Sequence, residues 1–523
     1  MINDEDLNRP LEHHFTIFIY HFFHSIHEHG PKHELHGIFR RWLPWFTRLE
    51  AGGLKAALDD SYFFLPFAKR FVFPEFQSIL NSPEGYDQLA RTAERFRTAS
   101  PGELHAALAA YPVIHLALRP EEFDRVKDLE LTQDFRGEAV SYRAVLDWAD
   151  LFFFPHGSGF LVLKVRLAGT PRLSDVIEFN SLFRQVLPPK VGWKMADLRA
   201  KNHPGIHSVR DLAEHLLSDA TADEALPARE GAIDAARQAM SFQRREARYL
   251  ESELGQIYGD RFFVYSYSCV DYPDEFLAER IPGCSFDDAV DKVLYEYGTY
   301  TGLGSSSVTA GNFCPSAEYA TWLMRENRIS LWRNWRALAL RETATFLAFK
   351  ENEFNRAALP QNIENDYLNL YVYTLYQKIE LFKFSSELLL EENNPRQNMR
   401  STRLLVDNFT EFRNRFWFVE ITKRPQGDFI YEKYQEGMQS LPLFEAVNRE
   451  IGELNSYYEM KLSRKTNSVL AVLTFFLTPL ALTMAFWGMN VFDYEHFPWS
   501  LFELSAAAVL LISVITWYVV MRR

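Results

Sequence analysis

Two apolar stretches close this chain and constrain it more than any other feature. Residues 467–487 carry no charge, and residues 501–521 carry one acid, Glu503, near their start. Each approaches the roughly 20 residues that a membrane-spanning helix requires. Only the short segment 488–500 joins them, so they read as a two-helix transmembrane hairpin. Lys461, Arg464 and Lys465 precede the first stretch, Arg522 and Arg523 end the second, and the joining loop has neither lysine nor arginine. By the positive-inside rule this predicts a multi-pass protein of the plasma (inner) membrane with both termini cytoplasmic. Phe486, Trp487, Tyr494 and Trp499 would mark the outer interface, and Trp517 and Tyr518 the inner one.

The first stretch has a distinctive face. Asn467, Thr474, Ala481 and Gly488 recur at heptad spacing, as do Ala471, Thr478 and Ala485. Leucine and phenylalanine fill the positions between. A stripe of small and polar residues permits close helix packing. It also suits a pore lined by one copy of the helix per subunit, and two spans enclose a pore only in an oligomer. Pro479 removes one helix hydrogen bond, which membrane helices tolerate.

Gly488-Met489-Asn490 follows the stripe directly. The text around it runs Asn467-Ser-Val-Leu-Ala-Val-Leu-Thr474, then Thr478-Pro479-Leu480. Here the chain resembles the CorA family of divalent-cation channels, which carry a Gly-Met-Asn triplet at the outer end of the first of two C-terminal spans. The resemblance covers about residues 430–523 well. It implies a mixed α/β (α+β) cytoplasmic domain, then long helices and the transmembrane hairpin, assembled as a homopentameric funnel. It implies transport of a divalent cation, Mg²⁺ foremost, gated by the cytoplasmic domain, with the same ion as a candidate regulator. The expected partners are further copies of the chain, divalent cations and a lipid bilayer; no enzyme activity is expected. The outer cation site would comprise Gly488, Met489, Asn490, Asp493 and Glu495. The pore would be lined by Asn467, Ala471, Thr474, Thr478, Ala481 and Ala485, with Met460 and Asn467 as candidate gates. The chemistry agrees with these roles. Mg²⁺ gives up its water reluctantly, so neutral oxygen acceptors such as Asn490 suit a hydrated ion. Asp493 and Glu495 would raise the local cation concentration. The run Asp493-Tyr-Glu-His496 replaces the family's Met-Pro-Glu-type loop. This leaves the ion open between Mg²⁺ and Zn²⁺, Co²⁺ or Ni²⁺.

The rest of the 523 residues divides by pattern. Residues 1–340 read as an enlarged α/β domain, 341–440 as a helical hairpin, and 441–466 as a stalk helix continuous with the first span. Strands are expected at 15–22, 111–118, 151–154, 159–167 and 261–269. A hairpin is expected around His156-Gly-Ser-Gly159. Helices are expected at 208–217, 228–256, 364–391 and 397–422. The net charge of −13 disfavours nucleic-acid binding. Three cysteines without a CxxC pair imply neither a disulfide framework nor a zinc knuckle.

Eight of the fifteen histidines, from His13 to His36, crowd the N-terminus. They suit ligation of Zn²⁺, Ni²⁺ or Co²⁺ in a cation sensor. They equally suit polar strand ends. The glycine- and serine-rich run Gly298–Gly311 suits a flexible connector, or a cradle for a nucleotide messenger that would make the protein a signal-gated effector. A binding scaffold without ion flux is the third reading.

Overall fold

The computed structural model describes residues 8–23, 34–76, 85–108, 111–135, 138–187, 195–217, 260–273, 286–300, 316–392 and 399–488. It also describes 500, 501, 503–505, 507–509, 511 and 514. The chain forms two compact units, Met1–Leu389 with Asn408–Glu445, and Leu390–Asp407 with Ala446–Arg523.

The first unit is mixed α/β and is organised by one sheet of eleven strands. These are β1 (Leu11–Phe23), β2 (Trp42–Pro44), β3 (Ile114–Leu118), β4 (Asp128–Phe135), β5 (Glu138–Phe153), β6 (Ser158–Leu167), β7 (Asp197–Ala200), β8 (Phe263–Val270), β9 (Arg328–Trp332), β10 (Trp335–Ala339) and β11 (Thr343–Ala348). The spatial order is β2-β3-β5-β6-β1-β8-β11-β10-β9, with β4 pairing β5 and β7. β8 and β11 run parallel, whereas the other pairs are antiparallel.

β1 lies in the middle of this order, and its composition explains why. Phe15, Ile17, Phe18 and Ile19 are fully or almost fully buried, as a strand covered on both faces requires. Phe18 packs on Phe179 and Phe183 of α2 (Leu173–Phe183; α1 is Ala51–Asp60). On the same side, Ser268 of β8 and Tyr297 of α3 (Phe286–Thr299) share a hydrogen bond of 2.9 Å. The opposite face carries Phe15 against Tyr267, whose hydroxyl donates to the carbonyl of Asn355. Tyr265 likewise donates to the carbonyl of Ile363. Both acceptors lie in the helical run before α4 (Leu368–Glu392), so that run closes the second face.

The expected hairpin is present. β5 and β6 are joined at Pro155-His156-Gly157, where His156 and Gly157 adopt φ of 66° and 91°. Gly159 lies against the Phe22 ring, where a Cβ would force that ring to shift. Three further helices follow: α5 (Met399–Arg415), α6 (Pro425–Gly437) and α7 (Ser440–Gly488). The expected helix 228–256 lies outside the described residues.

The expected transmembrane hairpin is corrected. Among the described residues no helix is long and apolar enough to cross a membrane. α7 is long enough, but up to residue 465 it carries Glu445, Arg449, Glu450, Glu453, Glu459, Lys461, Arg464 and Lys465. The side chains of its apolar half are described only in part, 501–514 is itself described only in part, and 515–521 lies outside the described residues. An unbroken apolar run of spanning length, the physical requirement for insertion, is therefore not found among them. The assignments that depended on it fall too: the membrane-bound funnel, the ion-channel and membrane descriptions, and multi-pass residence in the inner membrane.

Candidate metal centre

The structure gathers one group of metal-type donors among the described residues. Glu12, His13 and Glu351 bring a carboxylate oxygen, an imidazole nitrogen and a second carboxylate oxygen within 4.8 Å of one another. A defect in the sheet brings them together. Leu11 pairs with Val270, but His13 pairs with Cys269, so Glu12 is an extra residue on β1. Such a β-bulge leaves one residue out of the ladder and re-aims its side chain. In a regular strand Glu12 and His13 would point to opposite faces; here both reach Glu351. Glu351 follows β11, where its N–H donates to Asp271 Oδ1 at 3.3 Å.

A cleft of about 230 Å³ opens beside this group. His13, His14, Arg166, Tyr267 and Arg356 contribute to its wall. His14 is buried, and its Nε2 accepts the N–H of Leu167 at 3.1 Å, so the ring proton sits on Nδ1, which has no partner. Burial, reinforced by the Arg166 guanidinium, lowers the His14 pKa to about 4. Arg166 itself is engaged by Asp147 through two bonds of 2.6 and 2.8 Å. Arg356 sits closest to the donors: its Nη2 lies 2.7 Å from Glu351 and 3.6 Å from Glu12.

A second ionic group is built on β3 and β5. Arg48 donates to both oxygens of Asp150, at 2.5 and 3.0 Å, and His115 Nε2 lies 2.9 Å from Asp150 Oδ2. The His115 ring is stacked against Trp45 and Phe152. Burial pushes the Asp150 carboxyl up, but Arg48 and His115 outweigh it and hold it below its ordinary range. Burial lowers His115, with Asp150 opposing. Every member of this group is engaged within the protein, which suits a structural role. A third feature is Asp366, whose pKa rises to about 7 through burial and the nearby Asp60 carboxylate, with Arg424 opposing. A larger groove of about 850 Å³ is walled by aromatic side chains, including Phe67, Phe71, Trp417 and Phe418, together with polar and charged ones such as Arg70, Arg415 and Glu420.

No family model matches the chain, and no curated protein matches its sequence. One solved structure, described as the structure of the full-length CmaX protein, is similar at 14% identity. It covers 50% of this chain and 88% of its own, with a TM-score of 0.18. The relationship is at most a distant one.

The residues singled out in the sequence are distributed differently from the metal group. Gly488 is the last residue of α7, and Met489, Asn490, Asp493 and Glu495 lie outside the described residues. Asn467, Ala471, Thr474, Thr478, Ala481 and Ala485 all lie on α7, and so does Met460, which is exposed. Among the crowded histidines, His13 joins the metal group while His14 and His21 are buried. Burial, with Lys383 nearby, lowers the His21 pKa to about 3. His24, His27, His29 and His33 lie outside the described residues, as does the glycine-rich run from residue 301 onward. Sequence reading missed Glu12 and Glu351. Glu12 stands beside a histidine on a strand, which was a usable local signal; Glu351 becomes a neighbour only through the sheet.

Proposed function

We propose that this is a divalent-cation-binding protein whose α/β unit takes up the ion through Glu12, His13 and Glu351. The observation that carries this reading is the convergence of those three donors at a β-bulge beside a cleft. Two carboxylates and one imidazole form a borderline donor set. Mg²⁺ favours oxygen alone, whereas imidazole suits Zn²⁺, Co²⁺ and Ni²⁺. The donor set therefore favours a transition-metal ion over Mg²⁺. With three protein ligands, at least one coordination position stays open to water or a small ligand. The proposed role is binding and response, with no reaction assigned.

The test is calorimetric titration of the chelator-stripped full chain with Zn²⁺, Co²⁺, Ni²⁺ and Mg²⁺, together with the visible spectrum of the Co²⁺ form. One binding event is expected to disappear in His13→Ala and in Glu351→Gln, and to be stronger for Zn²⁺ or Co²⁺ than for Mg²⁺. A wild-type titration that both variants reproduce unchanged overturns the reading.

A further inference from the structure

We propose that Arg356 is a tethered cation which occupies the two carboxylates of the metal centre and sets the concentration at which a metal ion enters. This rests on the reading of Glu12, His13 and Glu351 as a metal centre.

The geometry is competitive. Arg356 Nη2 is 2.7 Å from Glu351 Oε2 and 3.6 Å from Glu12 Oε2, so the guanidinium already contacts both acidic donors. A divalent ion bound to the same oxygens would meet that positive charge within a few ångströms, where like charges repel strongly. One of the two cations must leave. Arg356 neutralises only one of the two carboxylates; a divalent ion balances both.

Departure is easy for the side chain and hard for the backbone. The Arg356 side chain is about half exposed and Glu12 more so, and such exposed pairs are weakly held; Glu351 is the enclosed partner, and its pair with Arg356 yields because the incoming divalent ion replaces the positive charge it loses. The preceding residue anchors the chain. Asn355 is fully buried; its N–H donates to Asn352 Oδ1 at 2.9 Å, its amide donates to the carbonyl of Lys350 at 2.7 Å, and its carbonyl accepts the Tyr267 hydroxyl at 2.6 Å. Displacement is thus a swing of one side chain into solvent over a fixed backbone.

Arginine suits this role better than lysine. It does not lose its proton at accessible pH, so the competition is constant, and its planar fork holds a carboxylate in a fixed direction. The arrangement gives a centre that stays closed at trace metal and opens above a threshold. It also filters by charge, since a monovalent ion offers no net gain over the resident guanidinium.

The experiment titrates Zn²⁺ and Co²⁺ into the full chain as wild type, Arg356→Gln, Arg356→Lys, His13→Ala and the double variant His13→Ala/Arg356→Gln. Arg356→Gln should tighten binding about tenfold, the factor that corresponds to about 1.4 kcal/mol of removed repulsion and competition. Arg356→Lys should tighten it by less, and His13→Ala should abolish binding in either background. Melting curves add an independent readout. Arg356→Gln should melt lower than wild type without metal, because Glu12 and Glu351 then lack a counter-ion, and should recover with metal. Equal or weaker binding in Arg356→Gln, with wild type binding and His13→Ala not, overturns the role of Arg356 and leaves the metal centre standing. If neither wild type nor Arg356→Gln binds, the metal centre itself is overturned. If Arg356→Gln does not fold, Arg356→Lys decides: binding no tighter than wild type rejects the proposal.

Discussion

Two ionic groups sit on the same sheet and answer to different physics. The Arg48–His115–Asp150 group centres on a buried carboxylate whose two oxygens are both bonded, with His115 stacked between aromatic rings and Arg48 reaching in from the surface. The Glu12–His13–Glu351–Arg356 group lies at a bulge beside a cleft, and its arginine is half exposed. Buried charges are held because leaving one unpaired is costly, so such a group is fixed. Exposed charges are held weakly, so their partners can be exchanged. Exchangeability is what a binding centre needs, so the contrast supports a structural reading of the first group and the proposed binding role of the second.

The largest expected effect breaks the buried group. Asp150→Ala removes the buried carboxylate that Arg48 and His115 share, leaves the enclosed His115 without its partner, and should cost about 3 kcal/mol. That is a fall in melting temperature on the order of 10 °C, with metal binding by the folded fraction unchanged. Next comes ligand linkage. At a metal concentration one hundred times the dissociation constant, wild type should gain about 2.7 kcal/mol, seen as a rise in melting temperature that a chelator reverses. Glu351→Gln should gain nothing, and an equal gain there would remove the centre from this site.

Asp366 sharpens the comparison, because it is a buried acid without such a cationic fork; its Oδ1 has no hydrogen-bond partner. Its folded pKa, about 7, lies above the ordinary carboxyl value. The folded state therefore holds the proton more tightly than the unfolded one. Stability is highest where both forms are protonated, falls as pH rises from about 4 to about 7, and levels off above that. Asp366→Asn should remove this slope and stabilise the protein at pH 8 by on the order of 2 kcal/mol. Melting curves at pH 4.5 and pH 8 check it; equal slopes in both proteins would contradict the assignment. The smallest effect belongs to Arg166, half exposed and bonded to Asp147. Arg166→Ala should cost less than about 1 kcal/mol, and less again in high salt.

Much of the sheet was legible in the sequence, and the reason differs by region. The apolar run from Phe15 to Phe23 could only be a buried strand at that length. The turn His156-Gly157 announced the β5–β6 hairpin, because its positive φ angles need glycine or a tolerant residue. β4 and the first half of β5 were missed. They alternate apolar with charged or hydroxyl residues, as in Leu129-Glu130-Leu131-Thr132, and lack the dense apolar signal of the covered strands. β9 and β10 were missed for a different reason: Arg328, Arg333 and Arg336 interrupt the apolar text, while Asp291, on another element, bonds Arg328 and Arg336. The metal group was only half legible. A histidine-rich N-terminus pointed to His13, but a bulge is a property of pairing, and the pairing of β1 with β8 brings together segments far apart in sequence. The membrane reading failed on the opposite principle. It scored apolarity along the C-terminal text, whereas the described helices do not supply an unbroken spanning run.

The position of Glu12 in the first strand and of Glu351 just after the last has a consequence for how the protein is made. A ribosome exposes Glu12 and His13 early, but their third companion emerges only after β8 and β11 have been synthesised and can lie side by side. Scattered histidines on a nascent chain do not constitute this centre. An ion held by all three donors therefore reports that the sheet has been completed, and it ties the first strand of the sheet to the segment just after its last. Metal occupancy in a pulse-labelled preparation would then serve as a clock for the completion of the sheet.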